Sequence, residues 1–287
     1  MELLRPTMDF IFKEIFGDEK NKDLLIDFLN AVLKYKTPII NLECLNTVKE
    51  YIEDKHSILD INVILSNGVK VNVEIHIRDK YDIRKRSLYY WGKNYSVDLK
   101  QGEWISDLTG AVCINILTTK IFDDEHIHHK FTLYDEEHKI NYEKQNEILE
   151  ELHFIELSKL DFRNINKTND SQELINWLIF IDNPDLAKTK ELGSTIDKAL
   201  DVLTELSEDE IMRNTYFARF RMFLEENSAL NKARQEGIKE GIKEGKKKIE
   251  IAIALLDVLG DEVIALKTGL DIEIVQNLRK VNNSKQG

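Results

Sequence analysis

From Met8 to Tyr35 apolar residues recur at helical spacing: Phe12, Ile15 and Phe16, then Leu24, Leu25, Phe28, Leu29 and Val32. Gly17 is expected to break this stretch into two helices. After Thr37-Pro38 the period falls to two, and Ile39–Val48, Ile58–Leu65 and Val69–Ile77 read as strands. A basic, aromatic helix from about Tyr81 to Gln101 follows. Ala111–Leu117 is a short apolar run without alternation, as expected of a strand covered on both faces. His129–Tyr134 and His153–Leu157 read as further strands. Beyond Asn169 only helical patterns occur, over Leu174–Ile181, Leu186–Leu206, Glu208–Leu230, Gln235–Leu259 and Ile272–Leu278. The expected organisation is a mixed α/β domain over 1–165 followed by a helical region over 166–287.

The second and third strands carry the most information. In the second, Leu59, Ile61, Val63 and Leu65 alternate with Ile58, Asp60, Asn62 and Ile64. In the third, Val69, Val71, Val73, Ile75 and Ile77 alternate with Lys70, Asn72, Glu74 and His76. Period-two alternation puts the odd-numbered set on one buried face and gathers Asp60, Asn62, Asn72, Glu74 and His76 on the other. A two-residue Asn67-Gly68 turn would oppose the wrong faces. A three-residue loop, Ser66-Asn67-Gly68, matches them and puts Gly68 at the left-handed position that such loops favour. Asp60 then faces Glu74, and Asn62 faces Asn72. Directly opposed residues have β-carbons about 5 Å apart, where like charges are destabilising. A divalent cation held between the oxygens resolves the conflict; so does a solvent-facing polar side of the hairpin, and the pattern alone leaves both open.

Length and composition narrow the class. The 287 residues are enough to bury a core, and 42% hydrophobic with 32% charged residues is the composition of a folded globular chain. Cys44 and Cys113 have neither a disulfide framework nor metal-ligand spacing, and both fall in apolar segments, as small buried hydrophobes do. Met1–Phe12 lacks the basic flank and apolar stretch of a signal peptide, and no apolar run reaches the roughly 20 residues of a membrane span. A cytoplasmic protein is expected. The net charge of −12 excludes broad, purely electrostatic nucleic-acid binding. Locally the balance reverses: Arg78, Lys80, Arg84, Lys85, Arg86, Lys93 and Lys100 stand against Asp79, Asp82 and Asp98. Such a stretch can hold a phosphate backbone or be a solvated helix face. Arg86, Tyr90 and Lys93 fall on one side of that helix and are the candidate DNA contacts.

Other features weigh less. Glu236-Gly237-Ile238-Lys239 repeats as Glu240-Gly241-Ile242-Lys243 and begins again at Glu244-Gly245. Spacing of four places Gly237, Gly241 and Gly245 in one slowly drifting helical stripe, where another helix can approach closely. Self-association through the C-terminal helices is one expectation, an exposed helix that tolerates its glycines the other. Asp9 or Glu14 on the first helix are candidates to join the carboxylate pair, against the commoner role of surface acids. His126, His128 and His129, with no cysteine beside them and Asp123, Asp124 and Glu125 nearby, read as a polar loop rather than a zinc site.

Taken in order, Asp9-Phe10-Ile11-Phe12-Lys13 with Phe16-Gly17, Lys55 to Ile61 around Asp60, Asn72-Val73-Glu74-Ile75, Arg86-Ser87-Leu88-Tyr89-Tyr90-Trp91 and His153-Phe154-Ile155-Glu156-Leu157 resemble the PD-(D/E)XK nuclease family transposases, the recombination-promoting nuclease group. The resemblance also takes in the glycine repeat and Thr268–Ile272. It implies a restriction-endonuclease-like core, a mixed central sheet flanked by helices, before the all-helical C-terminal region. It further implies a DNA endonuclease in which Asp60, Glu74 and the Ile75 carbonyl hold Mg2+, with Mn2+ as a substitute ion. The third motif position, usually Lys and in this group usually Gln, is His76 here. That departure leaves His76 as a third catalytic group that orients water or stabilises phosphate charge, or as the mark of a degenerate fold that binds DNA without cutting it. A helical protein-interaction scaffold is the reading from another class.

Overall fold

In the computed structural model the described residues are 2–45, 60–77, 82–96, 104–142, 148–162 and 170–286. The first helical stretch divides where expected. Helix α1, Asp9–Phe16, ends at Gly17, whose N–H donates to the Lys13 carbonyl at 2.7 Å, and α2 covers Lys22–Leu33. Their buried faces are the predicted apolar positions.

The strands are β1 (Leu42–Cys44), β2 (Ile61–Leu65) and β3 (Lys70–His76), then, after helix α3 (Ile83–Ser96), β4 (Ala111–Leu117) and β5 (His128–Phe131). A small hairpin of β6 (Tyr134–Asp135) and β7 (Ile140–Asn141), unsignalled by any alternation, precedes β8 (Glu150–Glu156). The sheet order is β1-β2-β3-β4-β8-β5. Its central strands β3, β4 and β8 are parallel, and the outer pairings are antiparallel. Every residue of β4 is buried, as its unalternating pattern requires. At the entrance to β4 the chain passes so close to its neighbour that a β-carbon on Gly110 would stand 1.7 Å from the Ile148 carbonyl oxygen. Strand β8 starts three residues before its expected beginning and takes in Glu150 and Glu151, both buried there.

The remaining helices are α4 (Gln172–Asp182), α5 (Pro184–Ala187), α6 (Ser194–Glu208), α7 (Glu210–Leu255), α8 (Asp261–Thr268) and α9 (Ile272–Gln286). The helix expected over Leu186–Leu206 is interrupted near Gly193, which takes φ 107°, a conformation costly for any residue with a side chain. The two helices expected over Glu208–Leu230 and Gln235–Leu259 are instead one. Each glycine of the repeat costs roughly 1 kcal/mol relative to alanine, but helix propagation through the Glu, Lys and Ile between them carries the segment across.

The chain divides into two compact units at Tyr216/Phe217. The boundary expected near 165 falls among residues 163–169, outside the described residues. Helix α4 beyond it completes the first unit's core: Trp177 packs against Phe16 and Phe28 at centroid distances of 5.3 and 5.9 Å, and its Nε1 donates to Asp27 Oδ2 at 2.8 Å. An aromatic core shared this way ties α4 to α1 and α2 more firmly than sequence proximity does. Among the described residues no helix is long and apolar enough to cross a membrane.

The sheet face opposite α3 contains a polar relay. The Tyr35 hydroxyl donates to Glu151 Oε2 at 2.9 Å, Lys130 pairs with Glu151 Oε1, His153 Nε2 lies 3.1 Å from Glu151 Oε2, and His128 Nε2 lies 2.8 Å from His153 Nδ1. Burial, then the neighbouring positive groups, push His128 down to about 3; burial also lowers His153 against the pull of Glu151. A histidine lowered on folding binds fewer protons in the native state than in the unfolded chain. Its contribution is therefore complete above about pH 6.5 and is lost as pH falls toward 3. Urea unfolding followed from pH 7 to 4 should show this loss, and His128→Gln should make it shallower. An unchanged slope would remove His128 from the account.

Candidate active site

The hairpin of β2 and β3 builds the site. Asn62 pairs with Asn72 and Ile61 with Val73 across a Ser66-Asn67-Gly68 loop, the expected register, and Gly68 takes φ 85°. Asp60 stands one residue before β2, so the same register places it opposite Glu74. Each of the two carboxyls shifts the acidity of the other. Neither is on the surface: Asp60 is 9% exposed and Glu74 3%. The solvent-facing polar hairpin left open by the sequence is thereby excluded. Helix α3 roofs this face, with Lys70 Nζ donating to the Asn94 carbonyl at 2.9 Å and Ser87 Oγ to Asn115 Oδ1 at 2.8 Å. Asn115 itself sits beside Glu74 in the parallel pairing of β3 with β4.

Burial, then the charge of Glu74 and the hydrogen bond with it, hold Asp60 well above the usual carboxylate range; Arg86 and Lys13 oppose this without prevailing. Burial pushes Glu74 up as well, but the adjoining His76 imidazole and Arg86 guanidinium outweigh it and leave Glu74 below its ordinary value. The two facing carboxyls are thus separated in acidity by their neighbours: the proton stays on Asp60 and the charge on Glu74. His76 Nε2 stands 3.1 Å from Glu74 Oε2, off the line that a hydrogen bond needs, and Arg86 Nη2 donates to the same oxygen at 3.3 Å. Glu74 Oε1, His76 Nε2 and Arg86 Nε are buried with no hydrogen-bond partner among the described residues. Three such atoms within one cluster are a concentrated cost, since buried polar groups are normally satisfied.

Of the three helix positions singled out in the sequence, Arg86 enters the site directly and its guanidinium lies 5.1 Å from the centre of the Tyr90 ring. Tyr90 and Lys93 follow on the same helix, both half-buried. Ile75, between Glu74 and His76, is half-buried and pairs with Ile116. On the first helix it is Lys13 whose charge reaches Asp60; Asp9 Oδ1 accepts from the Phe10 N–H, and Glu14 is exposed. Sequence reasoning passed over Lys13, Ser87 and Asn115. Asn115 had a signal: it is the one polar residue in the otherwise apolar run of β4. Cys113 takes its expected place in the core beneath α3, with Leu152 and Phe154, whereas Cys44 is only half-buried.

The histidine-rich segment does not converge. His128 turns to His153, while His129 lies 2.9 Å from Asp124 and 3.6 Å from Glu156, a buried carboxylate that also accepts from the backbone of Ile121 and Phe122 and pairs with Lys159 at 2.5 Å. Among the described residues no group of three or more His, Cys, Asp or Glu side chains is gathered to hold a metal ion. Among the described residues the Asp60–Glu74 pair offers two carboxylates.

A mixed sheet flanked by helices, with an acid at the entry of one strand and another on its hairpin partner, defines the class of PD-(D/E)XK nuclease folds. The family model described as PD-(D/E)XK nuclease family transposase matches residues 6–233, and the chain belongs to that family. No curated protein and no solved structure matches the chain.

The raised Asp60 has a thermodynamic consequence. A carboxyl whose folded value lies above its unfolded value near 4 supports folding below that pH, and the support is lost as pH rises through the folded value. In EDTA at pH 7 Asp60→Asn should raise Tm, because a neutral amide can stand beside the charged Glu74 without taking up a proton on folding. The gain should vanish below about pH 4, where the unfolded chain is protonated too. A lower Tm at pH 7 would contradict the buried-pair account.

Proposed function

We propose that the protein is a metal-dependent DNA endonuclease that hydrolyses phosphodiester bonds in recombination or transposition. The observation that carries this reading is the buried Asp60–Glu74 pair, with Glu74 Oε1 lacking any hydrogen-bond partner among the described residues. Two carboxyls held together out of water, one raised by burial and then by the charge of the other, are a donor set suited to a small hard cation. Mg2+ commonly takes one or two carboxylates and fills the rest of its shell with water and substrate oxygens, so a pair of carboxylates is enough for it. Asp60, Glu74 and the Ile75 carbonyl would be its ligands, and Mn2+ would substitute. Such an ion lowers the pKa of a bound water and offsets charge on the scissile phosphate.

The chain's own groups have separable tasks in this reading. Asp60 and Glu74 would both hold the ion as carboxylates, so Asp60 would release its proton and metal affinity would rise with pH. His76 lies against the same oxygens and orients the attacking water. Arg86, half-released once Glu74 turns to a cation, presents a planar guanidinium to a non-bridging phosphate oxygen. Tyr90 and Lys93, further along the same helix, are the candidates to grip the DNA backbone.

One observation favours a second reading, a degenerate fold that binds DNA without cutting it: His76 and Arg86 both crowd Glu74 Oε2, so two groups of the chain itself already compete for this carboxylate. Cleavage of supercoiled plasmid by the purified protein in Mg2+ or Mn2+ separates the two. The expected result is nicking or linearisation that EDTA abolishes and that Asp60→Ala or Glu74→Ala lowers at least about a hundred-fold, the scale of several kcal/mol of transition-state stabilisation. Full cleavage by Asp60→Ala would sink the site assignment, and DNA binding with no cleavage in either metal would establish the second reading.

A further inference from the structure

The end of the chain builds a small core of its own. The last turns of α7 meet α8 and α9 around Ala252, Leu256, Ile264 and Val275, all buried, with Leu259, Leu270 and Leu278 packed against them. Helix α8 stops at Gly269, whose φ of 67° is left-handed and whose N–H donates to the Ala265 carbonyl at 2.8 Å. Only Gly269, Leu270 and Asp271 separate it from α9. Arg279 locks α9 in place: its Nε donates to Asp261 Oδ1 at 2.6 Å, its Nη2 to the Leu259 carbonyl at 2.7 Å, and its Nη1 to the Leu256 carbonyl. Those acceptors lie at the corner between α7 and α8, so a single side chain fixes the second helix of the pair against both others.

Three helices on one core, the last two joined by a three-residue turn with a left-handed glycine, form the layout of a helix-turn-helix. Helix α8 takes the position that crosses the backbone and α9 the position of the helix that enters a groove. The side of α9 opposite Val275 is open: Ile272, Glu273, Gln276, Asn277 and Lys280 are all exposed. Two neighbouring amides and a lysine are side chains that pair with base edges and phosphate, and an exposed isoleucine can meet a thymine methyl. Glu273 lies in the first turn of α9, where the helix dipole favours an acid.

Charge points the same way. The chain as a whole has 52 Asp and Glu against 40 Lys and Arg, yet from Phe217 onward Lys and Arg number 13 and Asp and Glu 11. The acidity belongs to the other unit, and a basic run, Lys246-Lys247-Lys248, lies on α7 shortly before this core. An unequal distribution of charge between parts of a chain is a footprint of nucleic-acid contact.

We infer that α8 and α9 form a DNA-binding helix-turn-helix, with Gln276 and Asn277 on α9 facing base edges in the major groove of duplex DNA and Lys280 contacting phosphate. This site is distinct from the Asp60–Glu74 pair and does not require that pair to cut DNA. The test is equilibrium binding of full-length protein to a short fluorescein-labelled duplex DNA in EDTA, followed by anisotropy over a range of salt. The triple change Gln276→Ala, Asn277→Ala and Lys280→Ala should weaken binding roughly ten-fold or more, and Lys280→Ala alone should reduce the salt slope by about one. All three residues are exposed, so the thermal unfolding of the variants should match that of the parent. Duplex RNA, whose deep narrow major groove excludes a helix, should compete poorly. Unchanged affinity and slope in the triple variant, equal competition by duplex RNA, or no binding by the parent protein would each overturn the inference. Plasmid cleavage that persists alongside such a failure would leave the nuclease reading standing, so the two fail separately.

Discussion

Two carboxylates facing each other inside a protein repel, and the first unit is arranged around that repulsion. The three-residue loop at Ser66-Asn67-Gly68 sets the register that opposes Asp60 and Glu74. Helix α3 then shuts water from the face they share. Water would have screened the pair; without it, charge must be managed by named neighbours. Arg86 from α3, His76 from the same strand and Lys13 from α1 supply it. A shift of the hairpin by one residue would turn Glu74 toward the opposite face and strand Arg86 as an unpaired buried cation, so the register and the electrostatics enforce one another.

The surrounding packing shows how such a site is held. Strand β4 is buried along its whole length and carries Asn115 beside Glu74, with its amide donating to the His153 carbonyl at 3.2 Å. The same His153 belongs to the relay on the far face through Glu151 and His128. Polar groups on the two faces of the central strands are thus connected through the backbone of β8. The aromatic cluster of Phe12, Phe16, Phe28, Trp177 and Phe180 closes the helical side of the unit. Buried polar networks of this kind specify one arrangement of a core only when nearly every member is satisfied. Among the described residues, buried side-chain atoms without a hydrogen bond concentrate at Glu74, His76 and Arg86; the others are on Trp91, His129 and Glu156, and the Glu156 oxygen is ion-paired with Lys159.

Much of this was legible in the sequence, for physical reasons that differ by element. The hairpin register followed from period-two alternation plus the conformational demand on Gly68, two constraints that agree only for a three-residue loop. Strand β4 followed from an apolar run too short for a helix. What the sequence hid were contacts made at long range. Glu151 carried no signal, because its partners Tyr35 and Lys130 are remote in the chain or on another strand. Burial of the polar face of the hairpin was equally invisible, since it depends on where α3 lies. The continuity of α7 through its glycines reflects helix cooperativity, which local propensity does not report.

His76 is where sequence and structure together say more than either alone. In sequence it stands as a departure at the position where a lysine or glutamine is usual, and by itself it fits either a third catalytic group or a lost function. In the structure a guanidinium stands beside the same oxygen: Arg86 comes from the next helix, its Nη2 3.3 Å from Glu74 Oε2. A positive group therefore stands beside Glu74 whichever residue fills position 76. An arginine also differs from an ammonium in that its planar fork can bridge two oxygens. The guanidinium and the imidazole meet on one oxygen, Glu74 Oε2, and leave Oε1 without a hydrogen bond among the described residues. The charge of Glu74 is thus held from one side only, by a residue of its own strand and a residue of the helix above it.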